Sequence, residues 1–139
     1  MVAHIYIGTD SRSPRPKTRR YGYVLECEGY PDTREGFGEL TGTYNQAVIQ
    51  AAAAALKRFN RRCEIRIHTE NSYVLEMIAR NLGTWAKNEF RTAAGKPLKH
   101  REDWERLWES IQNQIICGIP GKHTYSEWIE NELKTRENQ

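Results

Sequence analysis

Cysteine is scarce in this chain and widely scattered, with Cys27, Cys63 and Cys117 among 139 residues. Their number is odd, and no two of them stand at the short spacing of a zinc knuckle. The sequence therefore excludes a disulfide-stabilised scaffold and a structural zinc site built from cysteines. Because each cysteine lies in an apolar stretch, we expect three buried free thiols.

Long hydrophobic runs are also missing. The longest extends from Ala51 to Leu56, whereas a membrane-spanning helix needs about 20 residues. Met1 to Asp10 has neither the basic start nor the apolar length of a signal peptide. No heptad pattern resembles a coiled-coil seam. We therefore expect a cytoplasmic protein without membrane contact and favour a monomer.

A large net charge of either sign is absent as well, since the formal net charge is +3 and the pI is near 8.8. Such a balance does not by itself indicate a polyanionic partner. The distribution of charge is more informative, because basic side chains cluster at residues 12–20 and at residues 87–101. Two prolines interrupt the first cluster, so we predict that residues 11–20 form an exposed loop.

The clearest local pattern is a strand that runs into a helix through a carboxylate. Residues 63–68 alternate between apolar and polar side chains, the period of a strand with one buried face. Asn71 or Ser72 can then cap a helix with apolar residues at three- and four-residue spacing. Glu70 thus stands at the carboxyl end of a strand, where open α/β sheets place their ligands. The alternative is structural, because a glutamate there also stabilises the positive end of a helix dipole.

The same patterns predict elements along the rest of the chain. A strand at residues 2–9 ends at Asp10, in a position equivalent to that of Glu70. Thr43 and Gln46 have the spacing of a capping box, and Thr124 and Glu127 repeat it. The other predicted elements are strands at 21–27, 34–41 and 115–119, helices at 44–59 and 101–113, and a terminal helix that buries Tyr125, Trp128, Ile129 and Leu133.

This order of elements predicts a single α/β domain over residues 1–139, with a five-stranded mixed sheet and helices on both faces. A three-strand antiparallel meander followed by two right-handed crossovers places strands one, four and five side by side and parallel. Asp10 and Glu70 then lie at neighbouring strand ends.

Four motifs occur in order along the chain: Tyr6 to Asp10, Thr43 to Gln46, Cys63 to Val74, and Trp85 to Lys99 followed by Trp104. They resemble the motifs of type 1 ribonuclease H, the metal-dependent nucleases that cut the RNA strand of RNA/DNA hybrids. The resemblance covers most of the chain in one register and implies the ribonuclease H-like fold. Its most specific part resembles the substrate-gripping protrusion of that family, and we call residues 82–101 the basic handle.

The resemblance also implies a metal site. Four acidic residues of the family hold two divalent ions, Mg²⁺ or Mn²⁺, which activate a water molecule and stabilise the leaving 3′ oxygen. Asp10 matches the first of the four. Val48 stands where the family has a glutamate, and Glu70 stands where an aspartate is usual. The carboxylate on the first helix is therefore absent, and Gln50 or a water molecule remains as a substitute.

The last part of the metal site is replaced by a shorter loop and the terminal helix. His123 corresponds to the family's mobile histidine, which assists proton transfer, and an exposed loop histidine is the alternative. Glu127 and Glu130 are the candidates for the last metal ligand, although Glu127 is also explained by the capping box. The resemblance thus implies Asp10, Glu70 and His123 as catalytic residues.

The resemblance implies nucleic-acid contacts along the basic handle and at the start of the first helix. Basic side chains neutralise phosphates without reading sequence, and the minor-groove 2′-hydroxyls distinguish RNA from DNA. Alternatives remain open, because Gln46 is explained by its capping box and the aromatic residues by a small core under the handle. The implied residues are Asn45, Gln46, Trp85, Lys87, Phe90, Arg91, Lys96 and Lys99.

Three functions follow as hypotheses. The first is a ribonuclease H-like protein that binds RNA/DNA hybrid or double-stranded nucleic acid and has a degraded two-metal site. The second is an active endoribonuclease in which Asp10, Glu70 and a residue of the last helix hold Mg²⁺ or Mn²⁺. The third is a protein-interaction module that has kept the scaffold alone.

Overall fold

Ten helices and strands make up the part of the chain that the computed structural model describes, residues 1–137. In chain order they are β1 (Val2–Thr9), β2 (Lys17–Cys27), β3 (Thr33–Gly42), α1 (Tyr44–Leu56), β4 (Glu64–Thr69), α2 (Ser72–Arg80), α3 (Leu82–Lys87), α4 (Arg101–Ile111), β5 (Ile115–Pro120) and α5 (Ser126–Glu137).

The strands form one mixed sheet in the order β3-β2-β1-β4-β5. The pairs β1–β2 and β2–β3 are antiparallel, whereas β1–β4 and β4–β5 are parallel. Tyr6 of β1 lies opposite His68 of β4, so both strands end at the same edge of the sheet. The predicted five-stranded mixed sheet and its strand order are confirmed.

Helices cover both faces of the sheet, as predicted. On one face, the alanines of α1 allow the helix to approach the sheet closely, and its buried residues share a core with Ile5, Ile65 and Leu107. On the other face, α5 buries Ile129 and Leu133 in a smaller core. Each face therefore excludes water with its own set of apolar side chains.

The smaller core depends on a glycine in β1. A Cβ atom built at Gly8 would lie 2.7 Å from Ile129 Cγ2, and one at Gly22 would lie 3.0 Å from the same atom. The terminal helix therefore rests directly on the backbone of two strands.

The predicted loop at residues 11–20 is confirmed for residues 11–16 and wrong for residues 17–20. Strand β2 begins at Lys17, and Arg19 is fully buried. Its guanidinium donates hydrogen bonds to the carbonyl oxygens of Gly42, Ser11 and Arg15. Burial of this cation is possible because the backbone carbonyls replace the water that its donors lose.

The two predicted capping boxes have different outcomes. The one at Thr43 is confirmed, with its hydroxyl accepting from the backbone N–H of Gln46 and the side chain of Gln46 accepting from the backbone N–H of Thr43. The one at Thr124 is wrong, because α5 begins two residues later at Ser126. The helix α1 also ends at Leu56, before the predicted end at residue 59.

Two predictions of burial are wrong. Trp128 is 40% exposed, because Ile129 and Leu133 are the residues of α5 that face the sheet. Cys117 is exposed on the edge strand β5, whereas Cys63 is buried and Cys27 is half-buried. Within residues 1–137, no helix has both the length and the apolar character that a membrane span requires.

Candidate functional site

A cleft of about 500 Å³ opens where β1 and β4 end. Because the two strands are parallel neighbours, Asp10 and Glu70 reach the same edge of the sheet. The loop before α5 and the first turns of that helix form the opposite wall. The cleft thus brings together the side chains proposed for metal binding and catalysis, which are Asp10, Glu70, His123, Glu127 and Glu130.

Val48 also lies in the wall of this cleft. Its side chain is 1% exposed and belongs to the larger core. The helix α1 contains no acidic residue, so it presents methyl groups where the resemblance places a glutamate. Gln50 does not substitute for that glutamate, because it does not line the cleft and its Nε2 donates to Asp103 Oδ1 at 3.0 Å.

The carboxylate of Glu70 is paired with an arginine of the same chain. Arg12 Nη1 lies 3.3 Å from Glu70 Oε1, and the two side chains are 64% and 30% exposed. Burial and the charge of Glu70 raise the pKa of the nearby Tyr44 hydroxyl, whereas Arg12 acts in the opposite direction. An ion pair this exposed is worth at most about 1 kcal/mol, so another cation can compete for Glu70.

The residues of the cleft fit divalent metal in type but not in arrangement. Carboxylate oxygens are the ligands that Mg²⁺ and Mn²⁺ prefer, and four carboxylates line the cleft. Yet within residues 1–137 no three Asp, Glu, His or Cys side chains converge into a cluster able to hold a metal ion. Glu70 faces Arg12, and Glu130 Oε1 lies 3.7 Å from Lys134 Nζ. Two of the four carboxylates are thus engaged by cations of the protein itself.

His123 is fixed by hydrogen bonds at both ring nitrogens. Nε2 lies 2.8 Å from the carbonyl oxygen of Ile7, and because a carbonyl can only accept, Nε2 carries the proton. Nδ1 accepts a hydrogen bond from the backbone N–H of Tyr125 at 3.2 Å. Burial lowers the pKa of His123, which favours the neutral ring that these bonds require. The alternative of an exposed loop histidine is wrong, because His123 is partly buried, whereas its correspondence to the family's mobile histidine stays a prediction.

A row of histidine and tyrosine rings lies behind the cleft. His68 stacks on Tyr6 with 4.3 Å between ring centroids, and its Nε2 lies 2.9 Å from His4 Nδ1. Burial, followed by the charges of His4 and His123, lowers the pKa of His68 to about 4. Burial, together with Glu26, raises the pKa of Tyr6 to about 12. Both groups are thus uncharged near neutral pH.

The start of α1 is braced by a buried carboxylate. Asp103 of α4 is 7% exposed, and its two oxygens accept hydrogen bonds from Gln46 Nε2 at 2.9 Å and from Gln50 Nε2 at 3.0 Å. Asn45 Oδ1 accepts from the side chain of Asn71 at 2.9 Å. Asn45 and Gln46, both proposed as nucleic-acid contacts, are therefore oriented by partners within the protein.

The basic handle separates its aromatic side chains from its charges. Phe90 is 7% exposed and belongs to the core, and Trp85 packs edge-on against Trp104 with 5.1 Å between centroids. Burial removes Phe90 from the set of proposed nucleic-acid contacts and supports the alternative of a small core under the handle. The basic residues of the handle that were proposed as contacts are all exposed, namely Lys87, Arg91, Lys96 and Lys99.

Sequence reasoning missed two features of the site. The pairing of Arg12 with Glu70 could have been inferred from the sequence, because the basic loop begins directly after Asp10. Asp10 and Glu70 were predicted to end neighbouring strands, so this loop must begin near Glu70. The role of Asp103 had a partial signal, because Gln46 and Gln50 are four residues apart and share one helix face. That spacing predicts a common partner but does not identify it.

Comparison with known proteins agrees with this architecture. The family model named RNase H matches residues 3–132. Ribonuclease HI of Xylella fastidiosa (strain Temecula1 / ATCC 700964) is 39% identical over 79 residues, which are 57% of this chain and 53% of that protein. The matched part thus spans about half the length of this curated relative. Ribonuclease H of Mesorhizobium japonicum is 32% identical over 140 residues, covering 100% of this chain and 74% of that protein.

Solved structures show the same fold. LC9-RNase H1, described as a type 1 RNase H with the type 2 active-site motif, has a TM-score of 0.74 at 14% identity and covers 99% of this chain and 72% of that one. A foamy viral protease-reverse transcriptase in complex with RNA/DNA hybrid has a TM-score of 0.62 at 23% identity over 95% of this chain and 18% of that one. The family model, which spans nearly the whole sequence, and the Mesorhizobium japonicum relative establish that the chain belongs to the RNase H family.

Proposed function

We propose that this protein binds RNA/DNA hybrid or double-stranded nucleic acid through the basic handle and the start of α1, and that its two-metal centre is incomplete. Membership of the RNase H family supports a nucleic-acid substrate or ligand. The foamy viral relative, whose structure was solved with RNA/DNA hybrid, supports the hybrid as the first candidate.

The observation that carries the proposal is the contrast between Val48 and the handle lysines. Val48 is a buried core residue in the wall of the cleft, so a metal ligand is missing from that side. The lysines of the handle, in contrast, remain exposed and available to phosphates. Each phosphate contact adds a salt-dependent term to the affinity and requires no metal ion.

The second candidate function is metal-dependent cleavage of the RNA strand of the hybrid. It is favoured by one observation, the convergence of four carboxylates on a single cleft. For this function, Asp10, Glu70 and either Glu127 or Glu130 would hold Mg²⁺ or Mn²⁺ after rearrangement of their side chains. Bound metal would supply an activated water and stabilise the leaving oxygen.

A paired assay of binding and cleavage tests both functions. Binding of a labelled RNA/DNA hybrid is measured by fluorescence anisotropy, and cleavage is measured on the same hybrid in Mg²⁺ and in Mn²⁺. We expect binding without cleavage, and we expect the double variant Lys96→Ala/Lys99→Ala to bind several-fold more weakly. The matched control is Arg61→Ala/Arg62→Ala, which removes two exposed arginines before β4, at the opposite end of that strand from Glu70.

Cleavage that Asp10→Asn abolishes would overturn the proposal in favour of the nuclease. Failure to bind hybrid or duplex at physiological salt, with equal behaviour of the lysine variant and the control, would overturn both and leave a protein-interaction module. Val48→Glu provides a further check, since a restored carboxylate is expected to increase Mn²⁺-dependent cleavage only if the rest of the centre is intact.

A further inference from the structure

The loop between β1 and β2 is held by a buried arginine. Arg19 Nη1 donates to the carbonyl oxygen of Ser11 at 3.0 Å, and Nη2 donates to that of Arg15 at 2.6 Å. Its Nε anchors the same guanidinium to the carbonyl oxygen of Gly42 at 2.9 Å. Arg19 thus fixes the loop backbone on both sides of Arg12.

Short polar side chains fix the loop further. Thr9 Oγ1 donates to the carbonyl oxygen of Ser11 at 3.1 Å, and Ser11 Oγ accepts from the backbone N–H of Ser13 at 3.2 Å. The residues on either side of Arg12 are therefore both hydrogen-bonded. Placing the Arg12 guanidinium consequently costs side-chain entropy but little backbone entropy.

The fixed loop directs Arg12 to one carboxylate of the cleft. Its Nη1 lies 3.3 Å from Glu70 Oε1. The cleft holds four carboxylates and, besides Arg12, one further cation, Lys122. Because His123 is neutral, the cleft has an excess of two negative charges, which attracts cations. At Glu70 that cation is Arg12 of the same chain.

We propose that the guanidinium of Arg12 is the counter-ion of the Glu70 carboxylate and competes with divalent metal for it. The inference goes beyond the proposed function, because it concerns the occupancy of Glu70 and not the binding of nucleic acid. It follows from the disagreement between the cleft and a two-metal centre: Val48 removes one ligand, and Arg12 engages a second. The guanidinium of an arginine stays protonated at any physiological pH, so Arg12 keeps its positive charge.

The competition is electrostatic in origin. A divalent ion on a carboxylate of Glu70 would stand a few ångströms from a guanidinium of like charge, and it would also have to displace the ion pair. At about 5 Å in a solvated cleft, repulsion between a single and a double charge amounts to roughly a tenfold change in affinity. Removing the Arg12 charge should therefore strengthen metal binding by roughly that factor.

Binding of Mn²⁺ to the protein, measured without nucleic acid and without an activity assay, tests this inference. Free Mn²⁺ is measured by its electron paramagnetic resonance signal during titration at low ionic strength. We expect Arg12→Gln, which keeps much of the side-chain length, and Arg12→Ala to bind Mn²⁺ roughly tenfold more tightly than the unmodified protein. The gain should be absent when Glu70→Gln is added to either variant.

The matched control is Arg15→Ala, which removes an exposed arginine of the same loop that does not line the cleft. It lowers the net charge by the same amount, so a general effect of net charge would appear equally in both variants. Circular dichroism confirms that each variant is folded.

Equal Mn²⁺ affinity of Arg12→Gln and Arg15→Ala would overturn the inference, and so would a gain that persists with Glu70→Gln. A protein that fails to bind hybrid but shows the Arg12-specific gain would overturn the proposed function and leave this inference standing. The two proposals therefore fail separately.

Discussion

The handle and the cleft treat their charged side chains differently. In the handle, aromatic residues form a small core, and the lysines above it are exposed. In the cleft, Glu70 is paired with Arg12, Glu130 with Lys134, and both nitrogens of His123 are engaged. The handle thus keeps its charges available to an external partner, whereas the cleft neutralises much of its own.

The largest expected effect tests whether the handle is built on a core. Phe90→Ala should lower the free energy of unfolding by about 3 kcal/mol, because it removes a buried aromatic ring and leaves a cavity. Urea denaturation measures the change, with Arg91→Ala as the exposed neighbour that should cost less than about 0.5 kcal/mol. If Phe90→Ala kept its stability and lost affinity for nucleic acid, Phe90 would be a contact residue, and the comparison would fail.

The next effect concerns the brace between α4 and α1. Asp103→Ala should cost about 2 kcal/mol of stability, because the amides of Gln46 and Gln50 lose a buried acceptor. Glu102→Ala, an exposed carboxylate in the same first turn of α4, should cost only about 0.5 kcal/mol through the helix dipole. Equal costs for the two variants in urea denaturation would mean that the brace does not stabilise the fold.

A smaller effect is the pH dependence of stability that arises from His68, which lies behind the cleft. The pKa of His68 is lowered from 6.5 to about 4 in the folded protein, mainly by burial. Between these values the unfolded chain binds a proton that the folded protein does not, so stability falls as the pH is lowered from about 6.5 to about 4. The contribution is on the order of 1 kcal/mol, because partial exposure of the ring screens it.

His68→Gln removes the titrating ring and should flatten the decline in urea midpoint over this interval. His123, whose pKa is also lowered, and the carboxylates still titrate, so the relevant quantity is the difference between variant and unmodified protein at each pH. A difference that does not change with pH would show that His68 is protonated alike in both states.

The smallest effect tests a single charge of the handle. Lys87→Ala should leave the free energy of unfolding unchanged and weaken hybrid binding about two- to threefold. The slope of log affinity against log salt should fall by roughly 0.9, the amount for one phosphate contact. Arg62→Ala should leave the slope unchanged. A slope that also falls for the control would indicate diffuse attraction by the whole protein instead of a defined surface.

The order and direction of the strands could be predicted because they depend on short-range patterns. Alternation at residues 63–68 marks a half-buried strand, and right-handed crossovers then determine which strands are parallel. The meeting of Asp10 and Glu70 at one edge follows from that topology alone. The resemblance located the handle, and the structure places its aromatic residues in the core.

The features that could not be predicted depend on contacts and backbone angles that exist only in the folded chain. Burial of Arg19 requires carbonyl oxygens from three separate positions, and a basic residue beside prolines gives no sign of them. Phe90 is buried with a positive φ of 55°, a conformation that bulky residues rarely adopt. The state of His123 depends on Ile7, more than a hundred residues earlier in the chain. Each of these is a property of the assembled fold.

The contact between Ile129 and the two glycines beneath it has a mechanical consequence. Glu127 and Glu130 flank Ile129 on α5, and the height of that helix above the sheet is set by Gly8 and Gly22. A single methyl group added at Gly8 would act as a spacer that lifts or tilts the helix and carries both carboxylates with it. A substitution at Gly8 of β1 can therefore change the positions of Glu127 and Glu130 without changing any charged residue of the cleft.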